Sequence, residues 1–281
     1  MLRSAGFRAG REDDAMHVRF AFLTFLFAFS ISAQQVRPTL DLWRVAGDDS
    51  WSLVPIAGNA PGAFNTHFRS DLTLINYRPV QQRVEIKWLA HGVDSFFGPE
   101  KIVTVPASSF LVIEDVVGDL LGQTGIGALE IKAVTSSDLL DVNAKIDATS
   151  RIWTAGGGGT YSQSAPAVSW TSVRRSEPTY LVGLRQDENF RTNIGIVNFD
   201  SSTPPRSWDV TVSGTRGSTS FTITAQPYSL IQVPVPAGAW GHMMITIKAQ
   251  PATIGYWIAY GATVDNRTGD GWMTPIVQPS P

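Results

Sequence analysis

Arg69 and Asp71 have a spacing that suggests general-base catalysis. An aspartate beside an arginine that positions the substrate can act as the base. The segment around them recurs later in the chain, where Arg191 is retained and Asn193 replaces the aspartate. An amide cannot accept the proton, so the role that survives this replacement is hydrogen bonding to a neighbouring loop. We therefore predict no catalytic residue in this segment.

Three histidines follow the apolar N-terminal region: His67, His91 and His242. None has a second histidine or a carboxylate at metal-ligand spacing, so we expect isolated surface or loop histidines, no metal and no other cofactor. The chain has no cysteine, which excludes thiol catalysis and cysteine-based zinc sites. It also lacks the motifs of nucleophile elbows, phosphate loops and dinucleotide sites. A hydrolase with a site assembled from distant residues stays open as an alternative.

The segment Asp265–Gly271 is the most polar, turn-rich stretch near the C-terminus. Hard cations bind clustered oxygen ligands, which makes Asp265 and Asp270 candidate calcium ligands. Arg267 occupies a position where a calcium loop needs an oxygen. The favoured interpretation is therefore a tight loop between two strands, without a metal.

Tryptophan is the one compositional sign of a binding surface, with nine in the chain. Trp88 and Trp257 lie inside strand-like patterns, and we predict that they are core residues. Four others lie beside segments rich in glycine, serine or threonine: Trp153, Trp170, Trp240 and Trp272. Loop aromatics can stack on sugar rings or anchor a protein partner, so the ligand-binding candidates are Trp153, Tyr161, Trp240 and Trp272. The competing and favoured interpretation is that they fill the open ends of the folded domains.

These residues must be positioned by β-strands. Segments such as Val84–Trp88 alternate apolar and charged side chains, which is typical of a half-buried strand. The ten residues Phe68–Tyr77 recur as Phe190–Phe199, and only Thr73 against Gly195 breaks the match. A repeat this close predicts two copies of one module. The many short strands with turn signals between them predict an all-β fold of two tandem antiparallel β-sandwiches.

The predicted domain boundaries follow from the repeat. We place the first β-sandwich at residues 39–170, a polar linker at residues 171–178, and the second β-sandwich at residues 179–281. The best helix candidate is a single turn around Val116–Leu121.

The repeated strand, Phe-Arg-[Ser/Thr]-[Asp/Asn]-[Leu/Ile]-x-[Leu/Ile]-[Ile/Val]-Asn, and the closing segment Val264–Asp270 resemble tandem Ig-like β-sandwich modules of secreted bacterial proteins. Such modules occur alone or appended to extracellular enzymes. The resemblance covers most of residues 50–281 and implies a fold unit, without catalytic residues. The first half departs from the closing motif and reads Asp147–Arg151 there.

The N-terminal region predicts export. Phe20–Phe29 is an apolar run that follows Arg19 and is followed by small residues up to Ala33, which is typical of a signal peptide at residues 1–33 cleaved near Ala33. The run is shorter than the roughly 20 apolar residues that span a bilayer, so we expect no membrane span after its removal. Acidic residues precede Met16, which we expect to be the true start.

An exported chain without cysteine fits a bacterial protein, located in the periplasm, at the cell surface or in the medium. The formal net charge is −2 and no long basic run occurs, which excludes nucleic-acid binding. We expect a non-catalytic envelope or extracellular module, structural or interacting, whose partner is a polysaccharide or another envelope or extracellular protein. The alternatives are a carbohydrate-binding module that uses the loop tryptophans, the hydrolase, and a subunit that pairs through sheet edges.

Overall fold

The computed structural model describes residues 50–62, 66–156, 158–169, 178–200, 204–238, 240–251 and 256–275. All of them belong to one compact unit. The predicted signal peptide, residues 171–177 of the predicted linker and Trp170 lie outside the described residues.

The described chain consists almost entirely of antiparallel β-strands, which confirms the predicted all-β class. The first half contains β1 (Trp51–Pro61), β2 (His67–Asn76), β3 (Gln82–Ala90), β4 (Glu100–Val105), β5 (Ser109–Ile113), β6 (Gly125–Val134), β7 (Ile146–Gly156), β8 (Gly159–Pro166) and β9 (Val168–Ser169). The second half contains β10 (Thr179–Gln186), β11 (Phe190–Asn198), β12 (Arg206–Gly214), β13 (Gly217–Ala225), β14 (Ser229–Pro234), β15 (Gly241–Ala249), β16 (Trp257–Asp265) and β17 (Gly271–Pro275).

The strands pair in the same order in both halves. In the first half the orders are β4-β3-β6-β1 and β5-β2-β7-β8, and β1 also pairs with β2, which joins them into one nine-stranded sheet with β9 on β1. In the second half two separate sheets have the orders β13-β12-β15-β10 and β14-β11-β16-β17. It remains a prediction that the two halves are copies of one module and form two domains.

Each half encloses its own apolar core. Alternation along β3 directs Val84, Ile86 and Trp88 inward, where all three are buried. In the second half Trp208 and Trp257 are buried with their ring centroids 5.8 Å apart. The prediction that Trp88 and Trp257 are core residues is therefore confirmed.

A third apolar cluster joins the two halves. The first half contributes Leu53, Leu89 and Ala128, and strands β11 and β16 of the second half contribute Val197, Ile258 and Tyr260. Strand β16 is consequently buried at every position from Trp257 to Thr263, on both of its faces. This shared cluster explains why the described residues form one compact unit.

The same cluster explains the single mismatch in the repeated segment. Gly195 pairs with Tyr260 across β11 and β16, and a Cβ atom at Gly195 would lie 2.5 Å from the Tyr260 hydroxyl oxygen. At the corresponding place in the first half, Thr73 pairs with Thr149 on a face that is only partly buried. A side chain fits there because the cross-strand partner is a threonine and not a tyrosine.

The predicted helical turn around Val116–Leu121 is a single π-helical turn, Val116–Leu120. Its N-cap is Asp115, whose carboxylate accepts a hydrogen bond from the backbone N–H of Gly118 at 3.0 Å. Among the described residues, no helix has the length and apolar character needed to cross a membrane.

Candidate functional site

Asp71 forms the kind of hydrogen bond that the comparison with Asn193 predicts. Its carboxylate accepts a hydrogen bond from the backbone N–H of Asp115, in the segment after β5, at 3.2 Å. Arg69 Nε lies 3.8 Å from the Asp115 carboxylate, and Arg151 lies 3.9 Å from that of Asp71. The two contacts of Asp115, with Asp71 and with Arg69, hold the π-helical turn against β2.

Trp240 and Trp272 both donate to backbone carbonyl groups. Trp240 Nε1 donates to the Pro236 carbonyl at 2.9 Å, and its ring lies close to Gly238. Trp272 Nε1 donates to the Gly183 carbonyl at 2.9 Å, and 38% of the residue remains exposed. Both indoles therefore have contacts that account for them structurally.

Trp153 and Tyr161 lie on the neighbouring strands β7 and β8. Trp153 Nε1 is buried without a hydrogen-bond partner in the described chain. Tyr161 lines a groove together with the loop that follows β16. Of the four predicted ligand-binding aromatics, Tyr161 is thus the one that lines either of the two grooves described below.

The segment after β16 forms a tight loop. The Asp265 carboxylate accepts hydrogen bonds from the backbone N–H groups of Arg267 at 2.7 Å and Thr268 at 3.3 Å, and these bonds hold the pKa of Asp265 below its ordinary value. The Asp270 carboxylate accepts from the backbone N–H of Gly271. Within the described residues, no three histidine or acidic side chains lie together in a position to hold a metal ion.

The three histidines lie on different elements. His67 is at the start of β2, His91 follows β3, and His242 is in β15. The ring of His67 contacts Asn59 at 2.7 Å, and Nε2 of His91 lies 3.2 Å from the Gln232 carbonyl oxygen. None of the three lines either groove.

A larger groove, which sequence reasoning missed, lies beside the cluster that joins the halves. It has a cavity volume of about 530 Å³, within the range of about 300–1,000 Å³ that is usual for small-molecule sites. Four aromatic side chains line it: Trp51, Phe96, Phe97 and Tyr228. Phe96 lies edge-on to Phe97 and to Tyr228, with centroid distances of 4.8 and 5.6 Å. This cavity is termed the aromatic groove.

Two lysine–glutamate pairs complete the aromatic groove. Lys87 Nζ lies 3.7 Å from the Glu100 carboxylate, and Lys132 Nζ lies 3.6 Å from that of Glu130. Each ammonium group also lies 5.8 Å from the centroid of an aromatic ring of the groove. Among the residues that line the groove, two ammonium groups thus face two carboxylates, and Lys132 also bonds to Glu85, outside the lining, at 2.8 Å.

Glu130 is the most buried charged residue of this groove, at 2% exposure. Burial raises the pKa of Glu130, although Lys132 and a hydrogen bond from Trp51 Nε1 at 2.7 Å act in the opposite direction. Burial lowers the pKa of Lys132, but the carboxylates of Glu130 and Glu85 more than offset that effect and leave it raised. Titratable groups with perturbed pKa values that face a cavity are typical of functional sites.

Tyr228 occupies a turn position that does not favour a bulky residue. Its φ is 43°, and Ser108 has a φ of 46° at the corresponding turn of the first half. The Tyr228 ring lies in the groove and packs against Phe199 with a centroid distance of 5.1 Å. Burial raises the pKa of the Tyr228 phenol. The groove and this packing, rather than the turn, account for the tyrosine.

The smaller groove has a cavity volume of about 280 Å³. Its side chains include Phe68 and Tyr161 from the first half and Arg191 and Arg267 from the second. It is termed the arginine groove. Two segments predicted as candidates, around Tyr161 and Asp265, thus lie at one site.

Only one feature of the sequence indicates the aromatic groove. Its members come from separate strands and turns, and Trp51 and Tyr228 belong to different halves. The adjacent pair Phe96–Phe97 lies between two strands, and Phe97 is 94% exposed. Neighbouring aromatic residues in a connecting segment can indicate a binding surface.

No protein-family model matches the sequence, and neither a curated protein nor a solved structure matches it. The likeness to Ig-like modules of secreted bacterial proteins therefore stays a prediction.

Proposed function

We propose that this protein is an exported, non-catalytic binding module whose aromatic groove takes up a neutral sugar of a polysaccharide. The observation that carries the proposal is the combination of four aromatic side chains with lysine and glutamate around one cavity of about 530 Å³. Aromatic rings offer a flat apolar surface to the C–H face of a sugar ring. Ammonium groups donate to sugar hydroxyls, and carboxylates accept from them.

The pairing of charges favours a neutral ligand. An anionic ligand would compete with the carboxylates of Glu100 and Glu130 for the lysines, and a cationic ligand would compete with the lysines. A hydroxyl group can accept from an ammonium and donate to a carboxylate without displacing either. A sugar therefore suits a groove in which each lysine is already paired with a carboxylate.

The same pairing favours binding over hydrolysis. A glycosidase uses two carboxyl groups that flank the scissile bond, one as the acid and the other as the base or nucleophile. Here each carboxylate lies beside a lysine, and Glu130 also accepts the Trp51 hydrogen bond. The hydrolase alternative remains testable by product release.

The test is calorimetric titration of the protein with a panel of neutral oligosaccharides of glucose, xylose, mannose and galactose. We expect at least one of them to bind. Phe97→Ala and Tyr228→Ser are expected to weaken that binding by about tenfold or more, which corresponds to about 1.4 kcal/mol. Tyr228→Ser places at this turn the residue type that Ser108 provides in the first half, so the turn is expected to form.

Phe110→Ala is the matched control, because Phe110 is 63% exposed on β5 and does not line the aromatic groove. It should leave binding unchanged. A panel with no binding oligosaccharide, or equal weakening by the Phe110 variant, would contradict the proposed site. Release of new reducing ends from any oligosaccharide would contradict its non-catalytic character.

A further inference from the structure

We infer that the arginine groove is a second binding site, which takes the carboxylate of an acidic sugar residue. Phe68, Tyr161, Arg191 and Arg267 line this groove, and it shares no residue with the aromatic groove. Binding at the arginine groove can therefore be tested separately from binding at the aromatic groove.

Arg191 lacks the acidic neighbour of its first-half counterpart. Arg69 lies 3.8 Å from the Asp115 carboxylate. Strand β5 pairs with β2 in the same register as β14 pairs with β11. When this register is continued past the paired residues, the position of Asp115 in the first half corresponds to Val235 in the second. The arginine is retained, yet within the described residues Arg191 has no carboxylate partner. An exposed guanidinium that does not serve an internal ion pair is available to an external anion.

Asn266 orients Arg191. Nη1 of Arg191 donates to Oδ1 of Asn266 at 2.8 Å. Asn266 is itself held in place by two hydrogen bonds that it donates. Its backbone N–H donates to the Asn189 carbonyl at 2.8 Å, and its side-chain amide donates to the Glu188 carbonyl at 3.3 Å. One edge of the guanidinium is thus fixed, and its other N–H donors can form a two-point contact with a carboxylate.

The charge of the arginine groove is positive, although the chain as a whole has a net charge of −2. Arg191 and Arg267 contribute two guanidinium groups, whereas Asp265 is the one acidic residue of its lining. The Asp265 carboxylate is directed at the backbone N–H groups of its own loop. A local positive field of this kind attracts anions.

The aromatic side chains narrow the ligand class. Phe68 and Tyr161 provide apolar surface beside the arginines, which suits the ring of a sugar. The volume of about 280 Å³ lies just below the range of about 300–1,000 Å³ that is usual for small-molecule sites, which favours a single sugar ring. A hexuronate combines a ring with one carboxylate, whereas inorganic sulfate would leave the aromatic surface uncovered.

The test is calorimetric titration of the full chain with digalacturonate and, as the matched neutral ligand, galactobiose. We expect digalacturonate to bind to this groove and galactobiose not to bind there. Arg191→Gln and Arg267→Gln are each expected to weaken digalacturonate binding at least about tenfold, the effect of losing about 1.4 kcal/mol. Arg191→Lys should also weaken it, because an ammonium keeps the charge but lacks the planar fork.

Arg216→Gln is the matched control, since Arg216 is exposed between β12 and β13 and lies outside the groove. It should leave the affinity unchanged, as should Phe97→Ala in the aromatic groove, which separates this inference from the neutral-sugar proposal. Failure of digalacturonate to bind, or equal losses from Arg216→Gln and Arg191→Gln, would overturn the site. Sulfate that binds as tightly as digalacturonate would overturn the assignment to a sugar.

Discussion

The contact between Gly195 and Tyr260 predicts that one methyl group placed between the halves destabilises the unit they form. A Cβ atom at Gly195 would meet Cε1 and Cζ of the tyrosine ring and lie 2.5 Å from its hydroxyl oxygen. Tyr260 is 1% exposed, and its hydroxyl donates to Gln232 Oε1 at 2.7 Å. The ring therefore has no open space into which it could move while keeping this bond.

We expect Gly195→Ala to lower the free energy of unfolding by about 0.5–4 kcal/mol. Overpacking of a core costs roughly 1–3 kcal/mol. Displacement of the Tyr260 hydroxyl from Gln232 adds about 0.5–1.5 kcal/mol. The restriction of the unfolded chain by alanine acts in the opposite direction, by about 0.4–1 kcal/mol.

Equilibrium urea unfolding, followed by circular dichroism, measures this change. Gly159→Ala is the control, because a Cβ atom at Gly159 would meet nothing within 4 Å. The decisive comparison repeats Gly195→Ala in a Tyr260→Leu background, in which the ring atoms at issue are missing. There the alanine is expected to cost little or nothing. An equal cost in both backgrounds would refute the explanation by ring packing.

Three further predictions concern single side chains. Tyr260→Phe removes only the hydroxyl that bonds to Gln232 and should lower the free energy of unfolding by about 0.5–1.5 kcal/mol in the same urea assay; an unchanged value would contradict the contribution of this bond. Because the pKa of Glu130 is raised in the folded chain, the stability linked to its protonation is fully present below its ordinary value of 4.5 and is lost as the pH rises through the folded pKa. Glu130→Gln should therefore flatten the fall in Tm as the pH rises above 4.5, as measured by calorimetry, and an unchanged slope would argue against that shift. Asp265→Ala should lower Tm more than Asp270→Ala, since Asp265 accepts two loop N–H groups and Asp270 one, whereas added Ca²⁺ or EDTA should leave the Tm of the unsubstituted chain unchanged. A rise in Tm with Ca²⁺ would make this loop a calcium site.

Strands that bury only one face can be predicted from this sequence, because apolar and polar residues alternate along them. The predicted segment Val84–Trp88 lies within β3, with Ile86 buried and Lys87 partly exposed on the other face. The turn around Val116–Leu121 is also found at its predicted place. These features depend on neighbours in sequence or on the presence of one core.

Burial of both faces is harder to predict. The run Trp257–Thr263 is almost continuously apolar, which is consistent with a strand covered on both sides but does not show what covers it. The covering residues include Leu53, Leu89 and Ala128, which come from three different strands of the first half. Only the folded chain brings those strands over β16.

The grooves depend on the same long-range packing. Tyr161 and Asp265 were recognisable as candidates because each lies in a segment rich in turn-forming residues. Their meeting depends on contact between the first and second halves, which no local pattern encodes. Trp51 and Tyr228 are brought together by the same association.

Differences between the two halves at matching backbone positions separate the needs of the fold from those of a ligand. Asn76 and Asn198 form equivalent hydrogen bonds in the two halves. The side-chain amide of Asn76 donates to the Pro106 carbonyl at 3.0 Å, and that of Asn198 donates to the Gln226 carbonyl at 2.9 Å. Two residues beyond each of those carbonyls the backbone is again alike, but one half has serine and the other has Tyr228. Because the turn forms with either residue, the fold does not require the tyrosine. Its ring instead lines the aromatic groove, where the experiments on ligand binding should find its effect.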